Sequence, residues 1–169
     1  MNLANIIRQG SQYFPDNEAI VFEGRRFTYR QLNLAVDIVA YSLRDLGVRP
    51  GDRMALYCEN RPEWVMLYYG IIRLGAAVVC VSSAYRKTEL EYLLKDSQPA
   101  CVVTSDKLAA HIPPQATLPD VKDIVVIEED DRLSGLGRKV EGEAVAPFPG
   151  QDCEREDPCV ILYTGGTTG

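Results

Sequence analysis

The sequence predicts an α/β fold, in which a mainly parallel sheet is flanked by helices on both faces. Short, continuously apolar segments, such as residues 78–81 and 124–127, alternate with helical patterns. Strands that are apolar on both sides are typical of parallel sheets covered by helices. The composition agrees with this fold class, because 46% of the 169 residues are apolar and 25% are charged, as in ordinary globular domains.

The first fifty residues are predicted to form a short amphipathic opening, a hairpin and a long helix. Residues 19–22 and 26–29 flank a turn that contains glycine, which is typical of a β-hairpin. Thr28 and Gln31 have the spacing of a capping box, and apolar residues then recur at intervals of three and four. We expect this helix to end at Gly47.

The part of the chain from residue 51 to residue 104 alternates between strand and helix patterns. Strands are predicted at residues 53–57, 77–81 and 100–104. Asn60 with Glu63 is predicted to cap a helix over residues 64–74, which is apolar nearly all round and must be buried on most sides. Thr88 with Glu91 is predicted to cap the next helix. The resulting βαβαβ order favours a parallel sheet, whose ligands bind at the carboxyl ends of the strands.

The predicted elements beyond residue 104 are shorter. A helix is predicted over residues 106–112, and strands are predicted over residues 124–127 and 159–163. Residues 132–158 lack apolar periodicity and contain many glycines, prolines and charges. They are therefore predicted to form a long surface connection.

The charge distribution argues against a nucleic-acid partner. The net charge is −6, and residues 120–157 contain 12 acids and 5 bases, a balance of −7 that leaves +1 for the rest of the chain. No basic face is therefore expected. No segment approaches the roughly 20 apolar residues of a transmembrane helix, and the first ten residues lack a secretory pattern. We expect a cytoplasmic protein without a transmembrane segment.

The cysteine and histidine pattern argues against several kinds of site. The five cysteines show no C-x-x-C spacing, and His111 is the single histidine, so neither a zinc site nor a disulfide framework is expected. A Ser-His or Cys-His hydrolase would depend on His111, and the sequence has no G-x-S-x-G motif. Cys80 and Cys101 are predicted to act as small hydrophobic residues in strands, and His111 is predicted to lie at a helix end.

The last seven residues carry a pattern that suits phosphate. Tyr163 ends an apolar strand, and a run of threonines and glycines follows it. Glycine allows a ligand to approach the backbone closely, while threonine hydroxyls and successive N–H groups donate into one small volume. The predicted nucleotide-binding residues are Thr164, Gly165, Gly166, Thr167, Thr168 and Gly169. The run is neither a Walker A loop nor a G-x-G-x-x-G motif. Taken alone, it is equally typical of a turn without function.

Residues 163–169, Tyr-Thr-Gly-Gly-Thr-Thr-Gly, resemble the front half of the phosphate loop of the AMP-forming, adenylate-forming synthetases. This family contains acyl-CoA synthetases, luciferases and peptide-synthetase adenylation domains. Further segments resemble the family in the same order, at residues 27–32, 47–55, 59–64, 73–76 and 85–92. The family usually has serine at the position of Gly166, and glycine also occurs there among fatty-acyl-CoA ligases. The resemblance therefore favours an acyl-CoA ligase.

The resemblance implies the amino-terminal part of an ATP-dependent, AMP-forming acyl-CoA ligase. In that chemistry a carboxylate attacks ATP with Mg²⁺, giving acyl-adenylate and pyrophosphate, and coenzyme A then takes the acyl group. A carboxylic acid, ATP, Mg²⁺ and coenzyme A are thus the expected substrates and cofactors. An adenylation domain or luciferase-like enzyme is the alternative within the family. A non-catalytic α/β module that binds a nucleotide or a protein partner is the alternative outside it.

The resemblance also implies that much of the catalytic machinery lies beyond residue 169, so no catalytic or metal-binding residue is assigned. Residues 1–50 are expected to pack on later segments, and residues 51–169 to form an α/β subdomain that ends in the phosphate-binding loop. We expect the 169-residue chain to lack synthetase activity and to bind ATP no better than about millimolar, ~4 kcal/mol. We also expect it to self-associate through an uncovered helix face.

Overall fold

The chain begins with a helix, a β-hairpin and a longer helix. These elements are α1 (Asn5–Tyr13), β1 (Glu18–Phe22), β2 (Arg25–Thr28) and α2 (Tyr29–Asp45). A computed structural model describes residues 2–131, 133, 136, 145–154 and 156–163. Within that part of the chain, none of the helices combines the length and the apolar character that crossing a bilayer requires.

The hairpin and the start of α2 confirm the sequence prediction. The turn residues Glu23 (φ 47°) and Gly24 (φ 79°) both have left-handed backbone conformations, as a type I′ hairpin turn requires. Thr28 Oγ1 accepts a hydrogen bond from the Gln31 N–H at 3.3 Å, and Gln31 Oε1 accepts one from the Thr28 N–H at 2.9 Å. The predicted capping box is therefore present.

Five strands form a parallel sheet, which confirms the predicted fold class. They are β3 (Arg53–Tyr57), β4 (Ala77–Cys80), β5 (Cys101–Thr104), β6 (Asp123–Val126) and β7 (Val160–Leu162). Their order in space is β6-β5-β3-β4-β7, and each neighbouring pair is parallel. Because all five run in the same direction, their carboxyl ends lie along one edge of the sheet.

Helices cover both faces of the sheet. The remaining helical elements are α3 (Pro62–Leu74), α4 (Lys87–Ser97), α5 (Asp106–Ala109) and a 3-10 turn (Gln115–Thr117). Side chains alternate along β3, so Met54 and Leu56 pack in the core with α2 and α3, while Ala55 and Tyr57 pack in the core with α4. The sheet is thus buried between two apolar clusters, which explains why its strands are apolar throughout.

The predicted caps of α3 and α4 are wrong. Helix α3 begins at Pro62 after Arg61, and neither helix has a side-chain cap at the predicted residue. Proline suits the first helical position because its fixed φ matches the helix and its missing N–H needs no partner there. Helix α4 begins at Lys87, where the Glu89 carboxylate accepts from the N–H of Arg86 at 3.2 Å. Local spacing alone did not distinguish these starts from the predicted caps, of which Asn60 lies one residue before Arg61 and Thr88 two residues after Arg86.

The buried face of α2 lies against α3 within the described part of the chain. The α2 residues Leu32, Ala35, Val36, Val39, Ala40 and Leu43 are each at most 2% exposed. The predicted division of the chain at residue 50 stays a prediction. The expected uncovered face of this helix is not found, because within the described residues that face is buried. Most of the described residues between 132 and 158 are exposed, as predicted for a surface connection. Phe148 is an exception, because it is buried and stacks edge-on against Tyr41 with ring centroids 4.8 Å apart.

Candidate functional site

The six predicted phosphate-binding residues, Thr164, Gly165, Gly166, Thr167, Thr168 and Gly169, lie outside the described residues. The structure does describe the strand that leads to them. Strand β7 pairs with β4 in the register Val78↔Val160, with Leu162 opposite Cys80. Thr164 therefore follows a strand that ends at the carboxyl edge of the sheet, which is where parallel sheets bind ligands.

Tyr163 joins β7 to the predicted loop and contacts α4. Its hydroxyl donates to Asp96 Oδ2 at 2.6 Å. Burial and the neighbouring Asp96 carboxylate together raise the pKa of Tyr163 to about 12, so the phenol stays protonated and remains a donor. A cavity of about 360 Å³ adjoins this contact and is lined by Tyr85, Thr88, Glu89, Tyr92, Leu93 and Tyr163.

A larger cavity, of about 450 Å³, lies at the opposite edge of the sheet. Its lining includes Gly75 and Ala76, which precede β4, and Cys159, which precedes β7. The amino ends of parallel strands are not where such sheets bind their ligands. We therefore assign the candidate site to the carboxyl edge, beside Tyr163, despite the smaller volume there.

A network of paired charges also lies at the carboxyl edge. Glu59 Oε2 accepts from Ser105 Oγ at 2.5 Å, and Arg61 Nε donates to Glu63 Oε2 at 3.0 Å. Arg61 also forms an ion pair with Glu128. Sequence reasoning missed this network, although Glu59, Ser105 and Glu128 each follow a strand by one or two residues. Their shared position just after a strand was the sequence signal that could have indicated this network.

The network has the properties of a structural cluster. The Glu63 side chain is only 7% exposed and lies between Arg25 Nη2 at 2.8 Å and Arg61 Nε at 3.0 Å. Burial alone would raise the pKa of Glu63, but hydrogen bonds from Arg25, from the backbone and from Arg61 together outweigh it, and the pKa is lowered. The carboxylate is therefore held ionised and paired, which does not suit a general base near neutral pH.

We expect the stability of the protein to fall in acid partly through Glu63. Because its pKa is lower in the folded state than in the unfolded state, the pair stabilises the fold above about pH 4.3, and that contribution is lost as the pH falls further. Glu63→Gln should therefore reduce the loss of unfolding free energy between neutral and acidic pH, measured by urea unfolding. Glu129→Gln, at an exposed position, is the control. An unchanged pH dependence in Glu63→Gln would contradict the assignment.

His111 and two core cysteines have the structural roles that the sequence predicted. The N–H of His111 donates to the carbonyl of Leu108 just after α5, and Cys101 is buried in the core. Cys80 is half-buried, and burial raises the pKa of its thiol. Within the described residues, no group of three or more His, Cys, Asp or Glu side chains could hold a metal ion.

We expect Cys58 to resist thiol reagents in the native protein. It is 4% exposed, and burial raises its pKa to about 12, so little reactive thiolate exists near pH 8, about where ordinary cysteines ionise. Cys159 is exposed and is the matched control. After brief treatment with a maleimide, peptide mass spectrometry should find Cys159 modified and Cys58 intact, and both modified after unfolding in urea. Equal labelling of the two in the native state would refute this.

Comparisons with known proteins agree with the fold. Residues 7–169 match the sequence model of the family described as AMP-binding enzyme. A medium/long-chain-fatty-acid–CoA/3-oxocholest-4-en-26-oate–CoA ligase of Mycolicibacterium smegmatis is 35% identical over 178 residues, which cover 100% of this chain and 32% of that protein. Triostin synthetase I of Streptomyces triostinicus is 31% identical, over 99% of this chain and 31% of its own length.

A solved structure, the inhibitor-bound N-terminal domain of FACL13 from Mycobacterium tuberculosis, superposes with a TM-score of 0.85. It is 30% identical, and the match covers 99% of this chain and 42% of that one. The chain thus spans about a third of the length of the curated relatives it matches.

Proposed function

Because the chain belongs to the AMP-binding enzyme family, we propose that it forms the amino-terminal part of an AMP-forming acyl-CoA ligase. The main support is the match over the whole chain to a fatty-acid–CoA ligase, together with the position of the threonine- and glycine-rich run after the last parallel strand. Gly166 adds to this support, because it is the variant that also occurs among fatty-acyl-CoA ligases.

The proposed reaction has two steps. A carboxylate oxygen attacks the α-phosphorus of ATP, forming an O–P bond while pyrophosphate leaves with the electrons of the broken bond. The thiol sulfur of coenzyme A then attacks the acyl carbon, loses its proton, and releases AMP. Neither step requires an oxidant or a reductant.

The proposed role of residues 164–169 is to hold the β- and γ-phosphates of ATP while pyrophosphate leaves. The hydroxyls of Thr164, Thr167 and Thr168, with successive N–H groups, would donate to the phosphate oxygens as negative charge develops. Donors held in place beforehand stabilise that charge more than water does, because they need not reorganise during the reaction.

Mg²⁺ is expected with ATP, where it would neutralise phosphate charge. The described residues do not form a site for it, since they contain no suitable cluster of ligands. We therefore assign no Mg²⁺ ligand to them. ATP and coenzyme A are proposed as substrates of the complete protein, and a cytoplasmic location is part of the same proposal.

We propose a medium- or long-chain fatty acid, or another largely apolar acid, as the carboxylate. This rests on the relative's printed activity toward fatty acids and a steroid-derived acid. Self-association stays a prediction. It is supported by large apolar side chains exposed in the first 21 residues, namely Leu3, Ile6, Tyr13, Phe14 and Val21.

The test is acid-dependent exchange of pyrophosphate into ATP by the complete protein, with mass spectrometry of the CoA thioester. Fatty acids should support both exchange and thioester formation. Thr167→Ala should lower the exchange, while Thr117→Ala, which removes a hydroxyl from an exposed turn, should not. Exchange driven by amino acids without a CoA thioester would instead indicate an adenylation domain. If no acid supports pyrophosphate exchange, the result would favour the alternative of a non-catalytic α/β module.

A further inference from the structure

Tyr163 is bonded directly to the first residue of the predicted phosphate-binding loop and is held by a distant part of the chain. Its side chain packs against the core cluster on the α4 side of the sheet. Its hydroxyl donates to Asp96 Oδ2 at 2.6 Å, and the two residues are 67 positions apart in sequence. Tyr163 and Thr164 are consecutive residues, and consecutive Cα atoms are about 3.8 Å apart. A change in the Tyr163–Asp96 contact must therefore act where the predicted loop begins.

Asp96 lies where its charge is unfavourable for its own helix. It occupies the last turn of α4 (Lys87–Ser97), close to the negative end of the helix dipole. Its neighbour Lys95 pairs with Glu91 instead, at 2.7 Å. The hydrogen bond from Tyr163 gives the Asp96 carboxylate a partner outside the helix. This tertiary contact explains why an acidic residue occupies a position that is unfavourable for α4 itself.

Helix α4, which carries Asp96, is anchored in the core, whereas strand β7, which Tyr163 follows, is short. Leu90, Leu93 and Leu94 anchor α4 in the core, each at most 2% exposed. Strand β7 has three residues and, within the described residues, pairs with β4 alone. A strand with one neighbour has few backbone hydrogen bonds to fix its carboxyl end. The Tyr163–Asp96 bond adds a side-chain anchor at that end.

We infer that Asp96 is a positioning residue for the phosphate-binding loop, acting through the Tyr163 hydroxyl to fix the start of the loop against α4. This inference rests on the proposed function, because it assigns the loop to the phosphates of ATP. The raised pKa of Tyr163 means that the phenol remains a hydrogen-bond donor throughout the working pH range. Loss of the bond should therefore raise KM for ATP, whereas KM for the acid should change little.

The test uses the complete protein with Asp96→Ala, Tyr163→Phe and the conservative Asp96→Asn, whose amide oxygen still accepts a hydrogen bond. Glu91→Ala is the matched control, because it breaks an exposed ion pair on the same helix without touching Tyr163. Two quantities are measured. One is the hydrogen–deuterium exchange of peptides that contain residues 164–169, without substrate, and the other is KM for ATP beside KM for the acid.

Asp96→Ala and Tyr163→Phe should each speed exchange in the loop and raise KM for ATP, by about tenfold for loss of one charge-assisted hydrogen bond. KM for the acid should stay within about twofold, a change well under 1 kcal/mol. Asp96→Asn should recover most of both effects, and Glu91→Ala should show neither.

Loop exchange in Asp96→Ala and Tyr163→Phe that equals the unsubstituted protein would overturn the inference. So would equal increases in both KM values, because those would indicate a general loss of structure. The exchange measurement needs no catalysis. A complete protein without acid-dependent pyrophosphate exchange would therefore contradict the proposed function separately, while the loop exchange still decides the role of Asp96.

Discussion

Replacing Arg73 with methionine is expected to lower the free energy of unfolding by about 3–5 kcal/mol, because it leaves a buried carboxylate without its charged partner. The Arg73 side chain is 1% exposed and donates from Nη1 to Asp37 Oδ1 at 2.7 Å. The same guanidinium donates to the side-chain oxygen of Asn33 and the carbonyl of Ala4. It therefore connects α3 with α2 and with Ala4, the N-cap residue of α1.

Apart from Arg73, few groups near Asp37 compensate its negative charge. Its Oδ1 also accepts from the N–H of Phe148 at 3.1 Å, and the nearest other cation given by the structure, Arg8 Nη2, is 3.9 Å away. Burial lowers the pKa of Arg73, while the Asp37 carboxylate opposes that shift. An arginine nevertheless remains charged in proteins. Arg73→Met therefore removes a full positive charge and breaks the ion pair with Asp37.

Two variants make the Arg73 experiment specific. Arg26→Met removes an exposed ion pair with Glu18 and should change the free energy by about 1 kcal/mol or less. The double variant Asp37→Leu with Arg73→Met removes both charges together and should be more stable than Arg73→Met alone. Equilibrium urea unfolding by circular dichroism gives all three values. An Arg73→Met protein within about 1 kcal/mol of the unsubstituted one, the range of exposed pairs, would contradict the prediction.

Gly70→Ala is expected to destabilise the protein, although the same change in an exposed helix stabilises it by about 1 kcal/mol. Gly70 lies in the middle of α3, where it faces α2. A Cβ atom at this position would lie 2.2 Å from Val39 Cγ1 and 2.5 Å from Val39 Cβ. Overpacking of this kind costs about 1–3 kcal/mol. The net result should be a lower free energy of unfolding.

A double-mutant cycle with Val39→Ala tests whether the close contact is the cause. Val39→Ala alone removes buried methyl groups and should be destabilising. Combined with Gly70→Ala, it creates room for the new methyl group, so the double variant should be more stable than the sum of the single effects by about 0.5–3 kcal/mol. Additive effects would show that Val39 is not the source of the cost of Gly70→Ala and would contradict this explanation.

The parts of the fold that sequence predicted well are those fixed by neighbouring residues. The Thr28–Gln31 capping box forms because both partners lie within one helical turn of each other. The strands were predicted from apolar runs, because burial on both faces requires them. The start of α3 was misplaced because the predicted cap, Asn60, lies one residue before the actual N-cap, Arg61, and pattern alone did not choose between them.

The candidate site was predicted only as a sequence motif and a position. The threonine- and glycine-rich run follows the last strand, and β7 reaches the carboxyl edge of the sheet beside β4. The geometry of residues 164–169 is not described, so their binding role stays a proposal. The charge network around Arg61 was missed, because its members come from three separate strand ends that become neighbours only when the sheet forms.

The sequence by itself determined the order of strands and helices, the parallel character of the sheet, and the family resemblance. These follow from apolar periodicity, glycine turns and motif order, which are local properties of the chain. Tertiary structure alone decided the buried Asp37–Arg73 pair, the close approach of Gly70 to Val39, and the contact of Asp96 with Tyr163. Each of these joins residues more than thirty positions apart, and a contact of that kind exists only once packing has brought distant segments together.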